Sequence, residues 1–150
     1  MLNQSYATDH VIFVDTSAIA AVLNKDDSRH KNADVYYQKI VDQGYSLVLT
    51  NFIIAETHAL LLKETHNIPL CLRWLQTVAY EDYYVIRPTE KDEEKAIALL
   101  STYADKQWSL TDAISFTIME RLHIPYYFSF DDDFKQIGKF LDITGYLNRN

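Results

Sequence analysis

The chain is expected to fold as an α/β protein, a three-layer α/β/α sandwich around a mostly parallel central sheet. Three observations predict it. Short apolar runs alternate with longer stretches whose apolar residues recur at helical spacing, the βαβ pattern. The runs Val11–Val14 and Leu47–Leu49 show no apolar–polar alternation, so they read as strands buried on both faces. No internal repeat, low-complexity tract or linker interrupts the pattern. One domain is expected over residues 1–150, with a core of about 11–138 and a C-terminal edge strand and tail over 139–150.

The elements follow in order. Val11–Val14 is the first strand, and Asp15, Thr16 and Ser17 lead from it into the helix-friendly run Ala18–Leu23. Polar residues 24–28 connect to a helix over Arg29–Gln43, with Ala33, Tyr36, Tyr37, Ile40 and Val41 spaced along one face. Gly44 ends it. After the strand Leu47–Leu49, Thr50 or Asn51 opens a helix running through Glu56 to Leu62. Pro69 sits near the start of the next helix, which carries Leu70, Leu72, Trp74, Leu75 and Val78. Tyr83–Arg87 is a third strand closed by Pro88; Thr89 or Glu90 then opens a helix burying Ala96, Ile97, Leu99 and Leu100. Ser109–Leu122 is a further helix, and Tyr126–Phe130 a fourth strand. A short helix and an edge strand at Phe140–Ile143 complete the chain.

Composition narrows the function. Apolar content of 48% and aromatic content of 13% suit a globular chain. The single cysteine, Cys71, excludes an internal disulfide or a cysteine-based zinc site; it reads as a buried hydrophobe in a reducing compartment. Met1–His10 has no signal-peptide core and no apolar run approaches roughly 20 residues, so a cytoplasmic protein is expected. A net charge of −7 argues against a general nucleic-acid coat protein. It leaves a nuclease open, because carboxylates gathered around metal ions are themselves negative.

Four acids bear on chemistry, and each has a structural alternative. Asp15 stands at the carboxyl end of the first strand, where open parallel sheets place ligands, although Asp15 or Ser17 could simply cap the next helix. Glu56 lies on a helix apolar over most of its circumference, and could face outward at the helix edge. Asp112 follows Ser109 at capping-box spacing. Asp131 follows the fourth strand, but opens the acidic run Asp131–Asp132–Asp133, which could be a surface turn. In a parallel sheet all four converge on one edge. Carboxylates so gathered raise one another's pKa unless a cation joins them. Oxygen-only ligands suit Mg²⁺ or Mn²⁺, which bind carboxylates, water and substrate phosphate and assist phosphodiester hydrolysis.

Val11–Ala18, Ile54–Ala55–Glu56, Ser109–Ala113 and Phe128–Asp131 with Phe134 together resemble the motifs of the PIN domain, most of all the VapC-type ribonuclease toxins of bacterial toxin–antitoxin pairs. The resemblance covers about Val11 to Gly138; each motif alone is weak and the ordered set is specific. It implies a Mg²⁺- or Mn²⁺-dependent endoribonuclease with Asp15, Glu56, Asp112 and Asp131 holding the metal. Thr16 or Ser17 and Ser109 or Thr111 match hydroxyl positions that orient ligands or water, and Asp105 matches an acid ahead of the serine. Ser129 stands where many relatives have Thr. The fourth ligand could shift within Asp131–Asp133; Asp131, first after the strand, is preferred. The resemblance further implies an RNA substrate, a cognate antitoxin and a homodimer.

Two other classes compete. A non-catalytic module could keep the fold and act through partners, though it would have no need of mutually repelling acids. A phosphoacceptor domain would need a lysine after a strand, which is absent at the expected place. The five histidines are scattered with no zinc-like pair, and Arg29–His30–Lys31 reads as a solvated helix start, with phosphate steering as the alternative.

Overall fold

The computed structural model describes residues 10–147; the expected polar start and the end of the tail lie outside them. The strands are β1 (Val11–Val14), β2 (Ser46–Thr50), β3 (Tyr84–Ile86), β4 (Tyr126–Phe128) and β5 (Leu141–Asp142). The helices are α1 (Thr16–Leu23), α2 (His30–Asp42), α3 (Asn51–Thr65), α4 (Ile68–Arg73), α5 (Ala79–Glu81), α6 (Glu90–Thr102), α7 (Leu110–Arg121), α8 (Asp133–Ile137) and α9 (Thr144–Leu147).

All strand pairs are parallel, in the order β3-β2-β1-β4-β5. Every residue of β1 is buried, so helices cover both faces of the sheet, as the all-apolar run requires. The chain winds outward from β1 through β2 to β3, then crosses back to build β4 and β5 on the other side. The order therefore reverses between β1 and β4. A crevice opens at the strand carboxyl ends of such a reversal, because the flanking connections depart in opposite directions.

The core beside that crevice is aromatic. Phe134 of α8 is fully buried, with ring centroids 4.8 Å from Tyr127, 5.0 Å from Phe116 and 6.3 Å from Phe13. Trp74 fills the other end, its indole N–H donating to the Ile54 carbonyl at 3.0 Å. Cys71 is buried, as expected.

Four local expectations need correction. The helix expected from Pro69 through Val78 is α4, a wide π turn over Trp74–Val78, then α5; the turn accompanies insertion of the Trp74 indole beneath α3. Ile97 is 58% exposed, since α6 packs through Asp92, Ala96, Leu99, Leu100 and Tyr103, a stripe that leaves Ile97 off its edge. Val41 likewise faces solvent while Ile40 is buried. β4 stops at Phe128, because Ser129 and Phe130 turn their polar groups to the chain after β1 instead of extending the ladder.

Candidate active site

Asp15 takes the helix N-cap position in its backbone, yet its side chain makes no cap hydrogen bond. The capping alternative is thus realised by the main chain alone. The carboxylate turns into the crevice, where Oδ2 accepts hydrogen bonds from Ser129 Oγ at 2.8 Å and Ser17 Oγ at 3.1 Å. Ser17 Oγ also accepts from the Phe130 N–H at 2.9 Å, and Ser129 Oγ from the Asp131 N–H at 3.0 Å. Asp15 itself donates its N–H to the Phe128 carbonyl at 3.0 Å. This network sews the end of β1 to the end of β4 across the reversal. Asp15 is 2% exposed. Burial pushes its carboxyl up to about 7; the Ser129 hydroxyl opposes that rise, and Asp131, Asp112 and Glu56 add to it.

Asp112 takes the capping alternative and keeps its carboxylate beside the other acids. Ser109 and Asp112 close a capping box: the Ser109 N–H donates to Asp112 Oδ2 at 2.9 Å, and the Asp112 N–H donates to Ser109 Oγ at 3.1 Å. The cap commits Oδ2, and the same carboxylate acts on Asp15, Glu56 and Asp131. Glu56 does not point away from the crevice: it is half-buried on α3, and burial raises its pKa. The hydroxyls of Thr16 and Thr111 face it and offset part of that rise, while Asp112 and Asp131 reinforce it.

The acidic run after β4 divides. Asp131 is raised by burial and by Asp112, and Arg29 holds it down. Asp132 points outward, 4.0 Å from Lys135. Asp133 returns to the crevice, where burial and then the facing Asp112 carboxyl push it up. The structure therefore brings together Asp15, Glu56, Asp112 and Asp131, with Thr16, Ser17, Ser109 and Thr111 around them. It adds Asp133, which the sequence reading left only as an alternative position; the signal was its place at the first residue of α8, beside Phe134. Asp105 is not brought in. It sits on an exposed turn, paired with Lys106 at 3.6 Å, its side chain 75% exposed.

The donor set fits a hard divalent cation: carboxylate oxygens, with hydroxyls between them. Thr16 Oγ1, which faces Glu56 without closing a hydrogen bond to it, and Asn51 Oδ1 are buried without a hydrogen-bond partner among the described residues. Buried polar atoms are almost always satisfied, so such orphans mark a place for a ligand or water. Among the described residues, however, no three acidic, histidine or cysteine side chains are already gathered in the geometry of one ion. The carboxylates face the crevice without closing on a common point.

The arrangement defines a class. The PIN domain model matches residues 12–140, and the chain belongs to that family. Its similarity to individual members is substantial. It is 30% identical over 132 residues to the 23S rRNA-specific endonuclease VapC20 of Mycobacterium tuberculosis, covering 85% of this chain and 95% of that protein. The crystal structure of Mycobacterium tuberculosis VapC20, described as a sarcin–ricin loop cleaving toxin, superposes with a TM-score of 0.78 at 27% identity, over 87% of this chain and 97% of that one. PAE2754 from Pyrobaculum aerophilum shares the fold at a TM-score of 0.65 and 17% identity, over 95% of this chain and 97% of that one.

Proposed function

We propose that this chain is a Mg²⁺- or Mn²⁺-dependent endoribonuclease and the toxin of a toxin–antitoxin pair. The observation that carries the reading is the convergence of Asp15, Glu56, Asp112, Asp131 and Asp133 on the β1–β4 reversal, in a chain similar almost end to end to a 23S rRNA endonuclease. Asp15, Glu56, Asp112 and either Asp131 or Asp133 would hold the metal. When bound, the ion supplies a Lewis acid that activates water and stabilises charge on the phosphate. Ser17 and Ser129 fix the Asp15 carboxylate, and Ser109 fixes Asp112 through its cap. Thr16 Oγ1, buried and unpartnered, is the hydroxyl with capacity left for a ligand or water. The serine hydroxyls are engaged with Asp15 and with backbone N–H groups, so the chain offers orientation rather than a nucleophile. Ribosomal RNA is the substrate class that the similarity favours, with an antitoxin masking the acids, a homodimeric assembly and a cytoplasmic setting. No described helix is long and apolar enough to cross a membrane.

Purified protein incubated with total cellular RNA is expected to yield discrete fragments with Mn²⁺ or Mg²⁺ and none with EDTA. Cleavage that persists in EDTA would remove the metal from the reading. Silence with every ion, in a protein shown to be folded, would leave a non-catalytic PIN-fold module.

Ser129 supplies a second prediction. Ser129→Ala removes the shorter of the two bonds to Asp15 and the acceptor for the Asp131 N–H. Loss of such an orienting partner costs about 10- to 100-fold in activity or metal affinity. Ser129→Thr keeps the hydroxyl and is expected to stay within several-fold of the parent. Equal rates for the alanine and threonine variants would show that the hydroxyl does not position Asp15.

A further inference from the structure

RNA must approach a crevice crowded with carboxylates on a chain of net charge −7, so a fixed cation at the rim would decide whether the backbone can be held there. One group is built for this. Arg29 precedes α2, and its guanidinium lies 5.3 Å from the centroid of the Phe130 ring. Phe130 is no ordinary surface ring. Its N–H donates to Ser17 Oγ, within the network that holds Asp15, and its ring packs edge-on to Phe128 at 5.6 Å. The next residue is Asp131. The platform beneath Arg29 is therefore tied to the acids themselves.

Asp27 aims the guanidinium. Arg29 Nε donates to Asp27 Oδ1 at 3.2 Å and Nη2 to Oδ2 at 3.3 Å, while the Arg29 N–H also donates to Oδ1 at 2.8 Å. This side-on pairing uses one edge of the fork; no hydrogen bond among the described residues uses Nη1. The Arg29 side chain stays 41% exposed, and that of Asp27 only 9%. A planar cation clamped on one edge and supported on one face presents its remaining edge in a fixed direction, the geometry that suits a phosphate oxygen. Arg29 also holds down the Asp131 carboxyl, the residue that follows its aromatic platform.

We propose that Arg29, seated on Phe130 and aimed by Asp27, grips the RNA backbone at the mouth of the acidic crevice. The proposal rests on the endoribonuclease reading and assigns Arg29 a substrate-binding role, contacting a phosphate adjacent to the one cleaved. A solvated helix start, the plainer sequence reading, would need neither the ring nor the free edge.

The test is fluorescence anisotropy with a fluorescein-labelled hairpin carrying the 23S sarcin–ricin loop, titrated with metal-free protein across a range of salt. An Asp112→Asn background keeps the probe intact. Arg29→Gln is expected to weaken binding about 5- to 20-fold and to lower the dependence of log K on log salt by just under one phosphate contact. Arg29→Lys should keep the salt slope and lose part of the affinity. In chains with Asp112 intact, Arg29→Gln should raise KM by a similar factor and leave kcat within about threefold. Lys139→Ala, a cation paired with Glu120 at the far end of α7, serves as the charge control and should change neither slope nor affinity. If Arg29→Gln binds with unchanged affinity and slope, or Lys139→Ala loses as much, the assignment is overturned. A lowered melting temperature with an unchanged slope would likewise make Arg29 a loop-closing residue only. If the parent protein binds no RNA at any salt, the endoribonuclease reading itself falls and Arg29 with it; RNA binding that survives without Arg29 sinks the Arg29 assignment alone.

Discussion

Asp15→Asn is expected to abolish RNA cleavage and at the same time make the metal-free protein harder to unfold. The two effects share one cause. Asp15 is buried, and its carboxyl sits near 7 instead of 3.8 because the crevice disfavours its charge. Below about pH 4 the group is protonated in both the folded and unfolded chain and contributes nothing to the difference. As pH rises toward 7 the unfolded chain releases the proton while the fold retains it, so stability falls across this interval; above 7 the full cost is carried. At 1.36 kcal/mol per pKa unit that cost is about 4 kcal/mol, an upper bound because water and side-chain relaxation reduce it. Asn keeps the shape, still accepts from Ser17 and Ser129, and never carries the charge. In EDTA at pH 8 the variant should therefore gain about 2 kcal/mol, a rise of roughly 4–8 °C in Tm for a chain of this size. The gain should vanish by pH 4. Mn²⁺ should reverse the order, raising the parent's Tm by mass action and leaving the variant's where it was. Cleavage should drop by at least about a thousandfold, the scale on which preorganised electrostatics act. A variant less stable than the parent at pH 8 in EDTA would refute the claim that the Asp15 charge opposes folding.

The acids illustrate what a sequence can and cannot disclose. Asp15 was legible because the strand before it is apolar at every position, which fixes both its depth and its place at a sheet edge. Asp112 presented a choice between cap and site; the cap is formed, and it occupies one carboxylate oxygen of two, so it does not exclude the other role. No local pattern could reveal that Ser129 serves Asp15 from 114 residues away. Nor could one separate Asp131 from Asp133: in a run of three acids the outcome depends on where α8 begins, and each step along a helix turns the side chain by about 100°. The position was set by burial of Phe134, which drags Asp133 inward and leaves Asp132 in solvent. Asp105 misled for the opposite reason. Its neighbours matched a family pattern, but Tyr103 and Trp108 pack into the core on either side of the turn and leave Asp105 in solvent. Arg29 looked like a helix start because its neighbour Asp27 is local, while the ring beneath it, Phe130, lies far along the chain beyond the end of β4.

Phe134 carries the other large expectation. α8 runs only from Asp133 to Ile137, far short of the length at which a helix holds itself in water. Its place depends on the Phe134 ring, fully buried against Phe13, Phe116 and Tyr127, and on Ile137 beside it. Phe134→Ala should cost about 3–5 kcal/mol in urea unfolding, the transfer loss plus the cavity left in a core that cannot fully collapse. In a protein stable by 5–15 kcal/mol, most molecules would remain folded at low temperature. Those that do should still be poor enzymes, because Asp133 and the stretch from Asp131 follow α8 when it loosens. Phe134→Leu, which refills most of the volume, should cost about 1–2 kcal/mol and keep most of the activity. The comparison separates packing from chemistry: both variants leave every carboxylate in the chain, so a loss of cleavage that scales with the loss of stability assigns α8 the task of carrying its acids to the crevice. If Phe134→Ala unfolds at the parent's urea midpoint, the ring does not anchor α8, and the position of Asp133 must be held by something other than the core.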